Sequence, residues 1–302
     1  MKILICVDDT DDLTKSISTG TIAEMIKDKI VSVGGIIEQG ITRHQLLLHK
    51  DIEYTSHNSS MCFIADVPEQ PIEQIRMMAT EILLDKMAAS ADPGLCICNL
   101  AALQDPDSLV RYGLRAQREV LTKESAYALA KEVGGISLTE YGGSGIGVIG
   151  ALAGVGLRLS GNDGTFRGKN GIGEKQITLS ASELCQRLKA DQVLDIEGTL
   201  LSMDTPVYIE EFAKLTLLNK KITVVVKKDK SGQYKVCKKS DLYDGDKKVG
   251  NWHIQCDLFT LDNDYEECRG ESENACYNCL YRRWTANAFE CAKGYDILEL
   301  DS

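Results

Sequence analysis

ILICVDDTDD, residues 3–12, is the stretch on which the reading of this chain turns. Ile3 to Val7 run apolar without alternation, the pattern of a strand covered on both faces. They end on Asp8, Asp9, Thr10, Asp11 and Asp12. Like charges crowded at a strand tip repel one another, so the stretch predicts that something positive comes to them. Mg²⁺ brought with a nucleotide's phosphates is the expected ion, because it keeps several waters and takes only one or two protein carboxylates. An acidic loop that merely caps the next helix is the plainer alternative on these residues alone.

Downstream, Ile22, Met25, Ile26 and Ile30 recur at helical spacing and predict a helix over about 19–31. Thr14, Ser16, Ser18 and Thr19 lie near its start, where hydroxyls cap free N–H groups. Strand, acidic loop, helix is therefore the local order, with the carboxylates beside the positive end of a helix dipole, which also attracts phosphate. A second strand is expected over 33–39. Residues 42–60, TRHQLLLHKDIEYTSHNSS, read as polar and irregular, and the spacing of His44, His49 and His57 fits hydrogen bonding or substrate contact rather than zinc.

The next segments alternate: a strand over 61–65, a helix marked by Ile75, Met78, Ala79, Ile82, Leu83 and Met87, a strand over 95–100 after the turn Asp92-Pro93-Gly94, and one or two helices over 106–133. This predicts a ferredoxin-like subdomain over 61–133. The glycine-rich run GGISLTEYGGSGIGVIGALAGVG, 134–156, allows close backbone approach to phosphate and, from Gly150 onward, the start of a helix whose amides point at an anion, with Gly142, Gly143, Ser144, Gly145 and Gly150, together with Thr10, as candidate nucleotide-binding residues. It matches neither a P-loop nor a dinucleotide fingerprint, and close helix packing explains small residues equally well.

Beyond Lys169 the expected fold is mainly β: strands over 196–201 and 207–209, and a hairpin in which DKSG, 229–232, joins ITVVVKK to QYKVCKK. The fold class is thus α+β: a nucleotide-binding αβ core over 1–60 and 134–168, the ferredoxin-like subdomain, a basic β domain over 169–250 and a cysteine-rich tail over 251–302.

Over its 302 residues the chain carries a net charge of −11, which at first argues against a polyanionic partner. Residues 214–248 hold eleven lysines against four aspartates, a local +7 that leaves the rest at −18. That asymmetry makes 214–248 the expected RNA contact, the alternative being the solvated face of a hairpin. The longest apolar run, residues 145–156, is too short for the roughly 18 residues of a membrane span. Asp8 comes too early for a signal-peptide core, so the expectation is a cytoplasmic protein with no membrane partner. Eleven cysteines in such a chain predict reduced thiols, some metal-bound, over a disulfide framework. Cys268, Cys276, Cys279 and Cys291 are candidate zinc ligands, with Cys256 nearby, although only Cys276 and Cys279 form a CxxC pair. An iron–sulfur cluster or free thiols are the alternatives. CLYRRW, 279–284, interleaves aromatics with arginines, either as a base-stacking surface or as an amphipathic helix. Cys96 and Cys98 read as buried small hydrophobes.

In this order, DDTD at 8–11, TSHN at 55–58, DPG at 92–94, RAQREV at 115–120 and IGALAGVG at 149–156 resemble the archaeal tRNA-isoleucine agmatinylcytidine synthetase family over about 165 residues. That resemblance implies a kinase-type domain joined to a ferredoxin-like domain, using ATP to activate a cytidine for attack by an amine, with Asp8, Asp9 and Asp11 binding Mg-ATP. It also implies that Thr19 matches a threonine phosphorylated in the family, though Gly20 stands where a second threonine would be. The family continues into an OB domain and a zinc ribbon, and this chain aligns with neither after about residue 170. Arg43, Lys50 and Arg115 are candidate phosphate-neutralising cations. The expected activity is an ATP- and Mg-dependent transferase or ligase acting on tRNA, another RNA or a nucleoside-type acceptor. The alternatives are a zinc-containing RNA-binding or regulatory protein without turnover, and a thiol redox protein.

Overall fold

The apolar run folds as β1 (Lys2–Asp8), in which Ile3 to Val7 are at most 1% exposed. A computed structural model describes residues 1–12, 17–55, 57–69, 71–168, 170–238, 258–262, 279–284 and 289–293. After β1 come α1 (Thr19–Ser32), β2 (Ile36–Gln45), β3 (Ser59–Asp66), α2 (Ile72–Lys86), β4 (Gly94–Asn99), α3 (Pro106–Ala116), α4 (Lys123–Val133), β5 (Ile136–Glu140) and α5 (Gly147–Ser160). The fold is α+β, as expected. Two compact units divide the chain: Met1–Ser160 with the described residues of 247–302, and Gly161–Asp246.

In the first unit the strands form an antiparallel sheet ordered β5-β4-β1-β3-β2. Successive side chains of β1 point to opposite faces. Ile3, Ile5 and Val7 pack with Ile22, Ile26 and Ile30 of α1 and Ile75, Ala79 and Leu83 of α2. Leu4 and Cys6 face the other way, onto Val148, Leu152 and Val155 of α5. Each fully buried aliphatic of this kind contributes roughly 1.5–3 kcal/mol. α5 comes close to the sheet because it lacks side chains there: a Cβ on Gly154 would fall 2.5 Å from Cys6 Sγ and 2.4 Å from Ser60 Oγ. Asp8, in phase with Leu4 and Cys6, also faces α5. The expected boundaries near 60 and 133 fall inside this unit, where β3 is hydrogen-bonded between β1 and β2.

Three local expectations are corrected. The second strand begins at Ile36 and runs on to Gln45, through residues read as irregular. Its inward positions are polar: Thr42 and His44 are fully buried, joined at 2.8 Å, and Arg158 of α5 donates to Thr42 at 3.1 Å. A polar network inside the core hides the alternation that periodicity depends on. A register shift between Glu38 and Thr42, with Gln39 at φ +63°, breaks the pattern further. Helix α5 starts at Gly147, three residues before the expected Gly150.

The second unit comprises β6 (Thr165–Phe166), β7 (Asn170–Gly171), β8 (Ile177–Ser180), α6 (Ala181–Leu188), β9 (Gln192–Asp195), β10 (Pro206–Ile209), β11 (Phe212–Ala213), β12 (Leu215–Leu218), β13 (Lys221–Lys228) and β14 (Tyr234–Val236). The strands run in the order β6-β12-β13-β14-β10-β8, with β9 also pairing with β13. The expected hairpin is present as β13 and β14. The strand expected over 196–201 is instead β9 at 192–195 followed by a turn, held by the Leu194–Leu200 bridge. Sequence periodicity missed α6, yet its start carries a full capping box between Ser180 and Glu183.

In the tail, β15 (Arg282–Trp284) pairs with β16 (Phe289–Cys291), so RRW is a strand and not an amphipathic helix. Arg282 is 1% exposed and donates to Asp262 at 3.1 Å, which compensates its burial. Among the described residues no helix is long and apolar enough to cross a membrane. Cys96 and Cys98 are buried in the core, as expected.

Candidate active site at the acidic strand tip

The antiparallel sheet carries Asp8 to the end of β1, opposite Gly94 of β4. Asp8 is 8% exposed, and its carboxylate occupies the space that a side chain at position 150 would need: a Cβ on Gly150 would lie 1.8 Å from Asp8 Oδ2. Gly150 therefore serves first to admit this carboxylate beside the opening turns of α5. Burial, then the neighbouring Asp9 charge, pushes the Asp8 carboxyl well above its ordinary range.

Asp9 turns the chain with φ at +52°, a left-handed conformation that costs about 1–3 kcal/mol and concentrates at functional sites. Burial pushes its carboxyl up to about 7, helped by the charges of Asp11, Asp92 and Glu53. The flanking acids Asp8, Asp11, Glu53 and Asp92 come from the end of β1, the loop that follows it, the β2–β3 loop and the residue preceding Pro93. Each raises the cost of ionising its neighbours, and a bound divalent cation would relieve it.

Asp11 is held from two sides. Its Oδ2 accepts from the Thr19 amide at 3.2 Å and the Thr19 hydroxyl at 3.4 Å, and its Oδ1 accepts from Thr55 Oγ1 at 2.9 Å. Thr19 is 7% exposed and begins α1, where the amide has no partner within the helix. Thr10, fully buried, donates its hydroxyl to Thr19 Oγ1 at 3.0 Å. Asp12 accepts from Ser90 at 2.5 Å.

The glycine-rich loop before α5 is fastened to the same corner. Asp92 accepts from the Ser144 amide at 2.7 Å and from its hydroxyl at 2.5 Å, and its carbonyl accepts from the Gly147 amide at 3.1 Å. Gly142, Gly143 and Gly145 all have positive φ. A Cβ on Gly143 would collide with the Asp92 carboxylate, and one on Gly145 with Glu140. Lys123 bridges Glu140 and the Ser144 carbonyl, at 2.8 Å each.

The predicted Asp8, Asp9, Thr10, Asp11 and Thr19 thus form one network, tied through Asp92 to Ser144 and in contact with Gly150. Sequence reasoning missed Glu53, Thr55, Asp92 and Lys123 as members. TSHN and DPG flagged two of these positions, but nothing local showed that they meet Asp9 and Asp11. Of the candidate cations, Arg115 is paired with Glu119 at 2.9 Å and Arg43 donates to Ser59 at 3.0 Å. His44 belongs to the core network, and His49 lies on the surface 3.7 Å from Asp51.

Among the described residues, no three His, Cys, Asp or Glu side chains converge as a closed metal cage. The acidic tip fits Mg²⁺ on its donor chemistry, since that ion needs few protein oxygens and completes its shell with water and phosphate. In the tail, Cys268 and Cys276 lie outside the described residues, while Cys279 and Cys291 are half-buried thiols.

The raised carboxyls set the sign of the pH response. An acid whose folded value lies near 7 holds its proton there while the unfolded chain has released it near 4, so folding stability falls as pH rises through that window. Asp105 and Asp229, held below their usual range by hydrogen bonds from Ser108 and Ser231, are ionised in both states above about pH 5 and add no slope there. Urea melts of the metal-free protein are expected to show declining stability from about pH 5 to 8, and added Mg²⁺ should flatten the decline. A profile that rises with pH would contradict this assignment.

No protein-family model and no curated protein sequence matches the chain. Solved structures similar to it include an apo tRNA-isoleucine agmatidine synthetase, at 19% identity and TM-score 0.45 over 52% of this chain and 35% of that one. A tRNA fluorescent labelling enzyme is similar at 21% identity and TM-score 0.44, over 52% and 36%. The synthetase bound to tRNA and ATP is similar at 20% identity and TM-score 0.44, again over 52% and 36%. The region shared with these proteins spans about a third of their length.

Proposed function

We propose that this protein is an ATP- and Mg²⁺-dependent ligase or transferase that activates an RNA acceptor, tRNA cytidine foremost, by phosphorylation for attack by a small amine. The observation that carries this reading is the mutual raising of carboxyls at one strand tip: burial and the charges of Asp11, Asp92 and Glu53 push Asp9 up to about 7, and burial with the charges of Asp9 and Asp11 pushes Asp8 well above its ordinary range. Phosphoryl transfer asks for metal-held oxygens, backbone donors and fixed geometry more than for covalent chemistry from the protein. Asp9 and Asp11 are the metal-binding carboxylates in this reading. Asp8, set against Gly150, acts behind them. Mg²⁺ would supply charge neutralisation at the phosphates. The loop at 142–145 is held by Asp92, which takes the Ser144 amide, while the Gly145 amide donates to the Gly142 carbonyl. Thr10 and Thr19 keep Asp11 oriented, and a phosphoryl-accepting role for Thr19 requires its buried hydroxyl to leave that network.

RNA contact is assigned to the basic segment. On one face of the second unit's sheet, Tyr208, Lys235 and Lys227 are cross-strand neighbours. Lys235 lies 5.2 Å from the Tyr208 ring centre, and Lys228 lies 4.9 Å from that of Tyr234. Aromatics interleaved with cations suit single-stranded RNA. Part of this charge is spent internally, Lys235 on Asp229 at 2.9 Å and Lys238 on Glu210 at 3.1 Å. Lys239, Lys247 and Lys248 lie outside the described residues. Zinc on the tail cysteines remains part of this reading, checked by metal content of the purified protein.

The test is incubation with Mg-ATP, total tRNA and a panel of amines, following release of phosphate, pyrophosphate and AMP. Amine-dependent turnover is expected. RNA binding with no turnover across the panel would favour a regulatory RNA-binding protein. Replacing Lys227 and Lys228 together with Gln is expected to weaken tRNA binding and lower its salt slope by about 1–2, leaving tRNA-independent ATP binding unchanged.

A further inference from the structure

We propose that the C-terminal strand β15 is a positioning element of the acidic centre: Arg283 and Trp284 grip the loop that holds Asp11 in place. This rests on the reading of that centre as a Mg-nucleotide site. Three residues of the β2–β3 loop touch the strand, and they bracket Thr55. Arg283 donates to the Ile52 carbonyl at 3.4 Å, and its guanidinium lies 4.4 Å from the Tyr54 ring centre. Tyr54 donates its hydroxyl to the Trp284 carbonyl at 2.7 Å. The His57 and Trp284 rings lie 5.9 Å apart. Thr55, between them, donates to Asp11 Oδ1.

The grip is itself anchored. Trp284 is 3% exposed, and the buried Arg282 connects the strand to Asp262 while its guanidinium lies 5.5 Å from the Trp284 ring centre. At its base the loop is closed by its own bonds, Leu46 N to Asn58 O at 2.8 Å and Asn58 Nδ2 to Leu47 O at 2.7 Å. Further out, Ile52 N donates to the His49 carbonyl at 3.0 Å, and Ile52, Tyr54 and His57 are the residues through which the loop meets the strand. A carboxylate that must meet a metal ion within a few tenths of an ångström depends on such support, since a site left loosely held loses much of its function. Arg283 and Trp284 touch neither phosphate nor metal in this scheme, and act through Tyr54 and Thr55.

The Thr19 amide reports on the coupling independently of nucleotide. As an opening amide of α1 it has no helical acceptor, so its protection from hydrogen exchange depends on Asp11 Oδ2. In Tyr54→Phe and Trp284→Ala, Thr19 exchange is expected to accelerate severalfold while the β4 amides keep their protection. The ratio of ATP affinity with Mg²⁺ to that in EDTA should fall about tenfold in Trp284→Ala, and less in Arg283→Lys, which keeps the charge and loses the planar stack. Faster exchange over 52–57 with Thr19 protection unchanged would overturn the proposal. So would a Mg²⁺ dependence in Trp284→Ala unaltered from that of a wild-type protein that binds Mg-ATP. Should wild-type bind no Mg-ATP, the functional reading fails, and Thr19 exchange still decides the coupling. If Trp284→Ala does not fold, Tyr54→Phe, which removes one oxygen, decides alone.

Discussion

Asp9→Asn is expected to eliminate Mg-ATP turnover and yet leave the metal-free protein at least as stable as wild-type at pH 7.5. The two halves come from one arrangement. Asp9 stands among Asp8, Asp11, Asp92 and Glu53 and ionises only near pH 7, so the wild-type apo protein carries an unfavourable charge or an unfavourable proton uptake at this corner. An amide of the same shape carries neither, and the unfolding midpoint should hold or rise by a few degrees. With the metal-binding charge gone, turnover should drop by about 10²–10³-fold or more, the scale seen when one well-placed electrostatic partner of a transition state is removed. Asp11→Asn should lose turnover similarly without the gain in stability, because Asp11 is bound by Thr19 and Thr55. Turnover within a few-fold of wild-type in both variants would remove the strand tip from the chemistry. Thermal melts and phosphate release on the same preparations settle both halves.

Gly94→Ala is expected to cost more stability than an ordinary overpacked core residue, for which about 1–3 kcal/mol is typical. A Cβ at position 94 would sit 2.2 Å from the carbonyl carbon and oxygen of Gly147 and 2.4 Å from the Val148 amide nitrogen. Position 147 mirrors it, with a Cβ there 2.2 Å from the Asp92 carbonyl oxygen. The first residue of β4 and the first residue of α5 therefore cross backbone to backbone, and no rotamer change can relieve the added methyl. Gly94 also pairs with Asp8 across the sheet, so the damage falls at the base of the acidic corner. A shift in urea midpoint of several kcal/mol, or failure to fold, is the expected result. Gly232→Ala, where no atom lies within 4 Å of the new Cβ but φ is +85°, should cost only about 1–2 kcal/mol. Equal losses in the two variants would show that backbone contact is not what matters at position 94.

How far the fold could be read beforehand depended on whether its determinants were local. β1 was legible because an unalternating apolar run leaves little else for five residues to be, and α1 because Ile22, Ile26 and Ile30 share a face. Thr42 and His44 misled because their partners are Thr42's own neighbour and Arg158, more than a hundred positions on, and polar residues facing inward look like a loop. For the site, Asp8, Asp9 and Asp11 were readable as a local run of like charge. Glu53, Thr55 and Asp92 were not, since each reaches Asp9 or Asp11 only once the antiparallel sheet has set the β2–β3 loop and the β4 entry beside β1. The glycine run left phosphate approach and close helix packing both open. Gly150 and Gly154 are small so that a carboxylate and a thiol can fit against the helix. The role of RRW was hidden for the same reason as Arg158, because Tyr54 and Trp284 lie 230 positions apart.

The segment that grips the β2–β3 loop is made long after the loop itself, since Trp284 follows Tyr54 by 230 positions. A ribosome that has finished residue 160 must still add well over a hundred residues before Arg283 and Trp284 exist, a delay on the order of ten seconds at common elongation rates. During that interval the sheet can form while Thr55 lacks the support of β15, so a nascent chain would carry a folded but immature acidic corner. Premature termination anywhere in the second unit should accordingly yield products that resist protease yet take up Mg-ATP poorly.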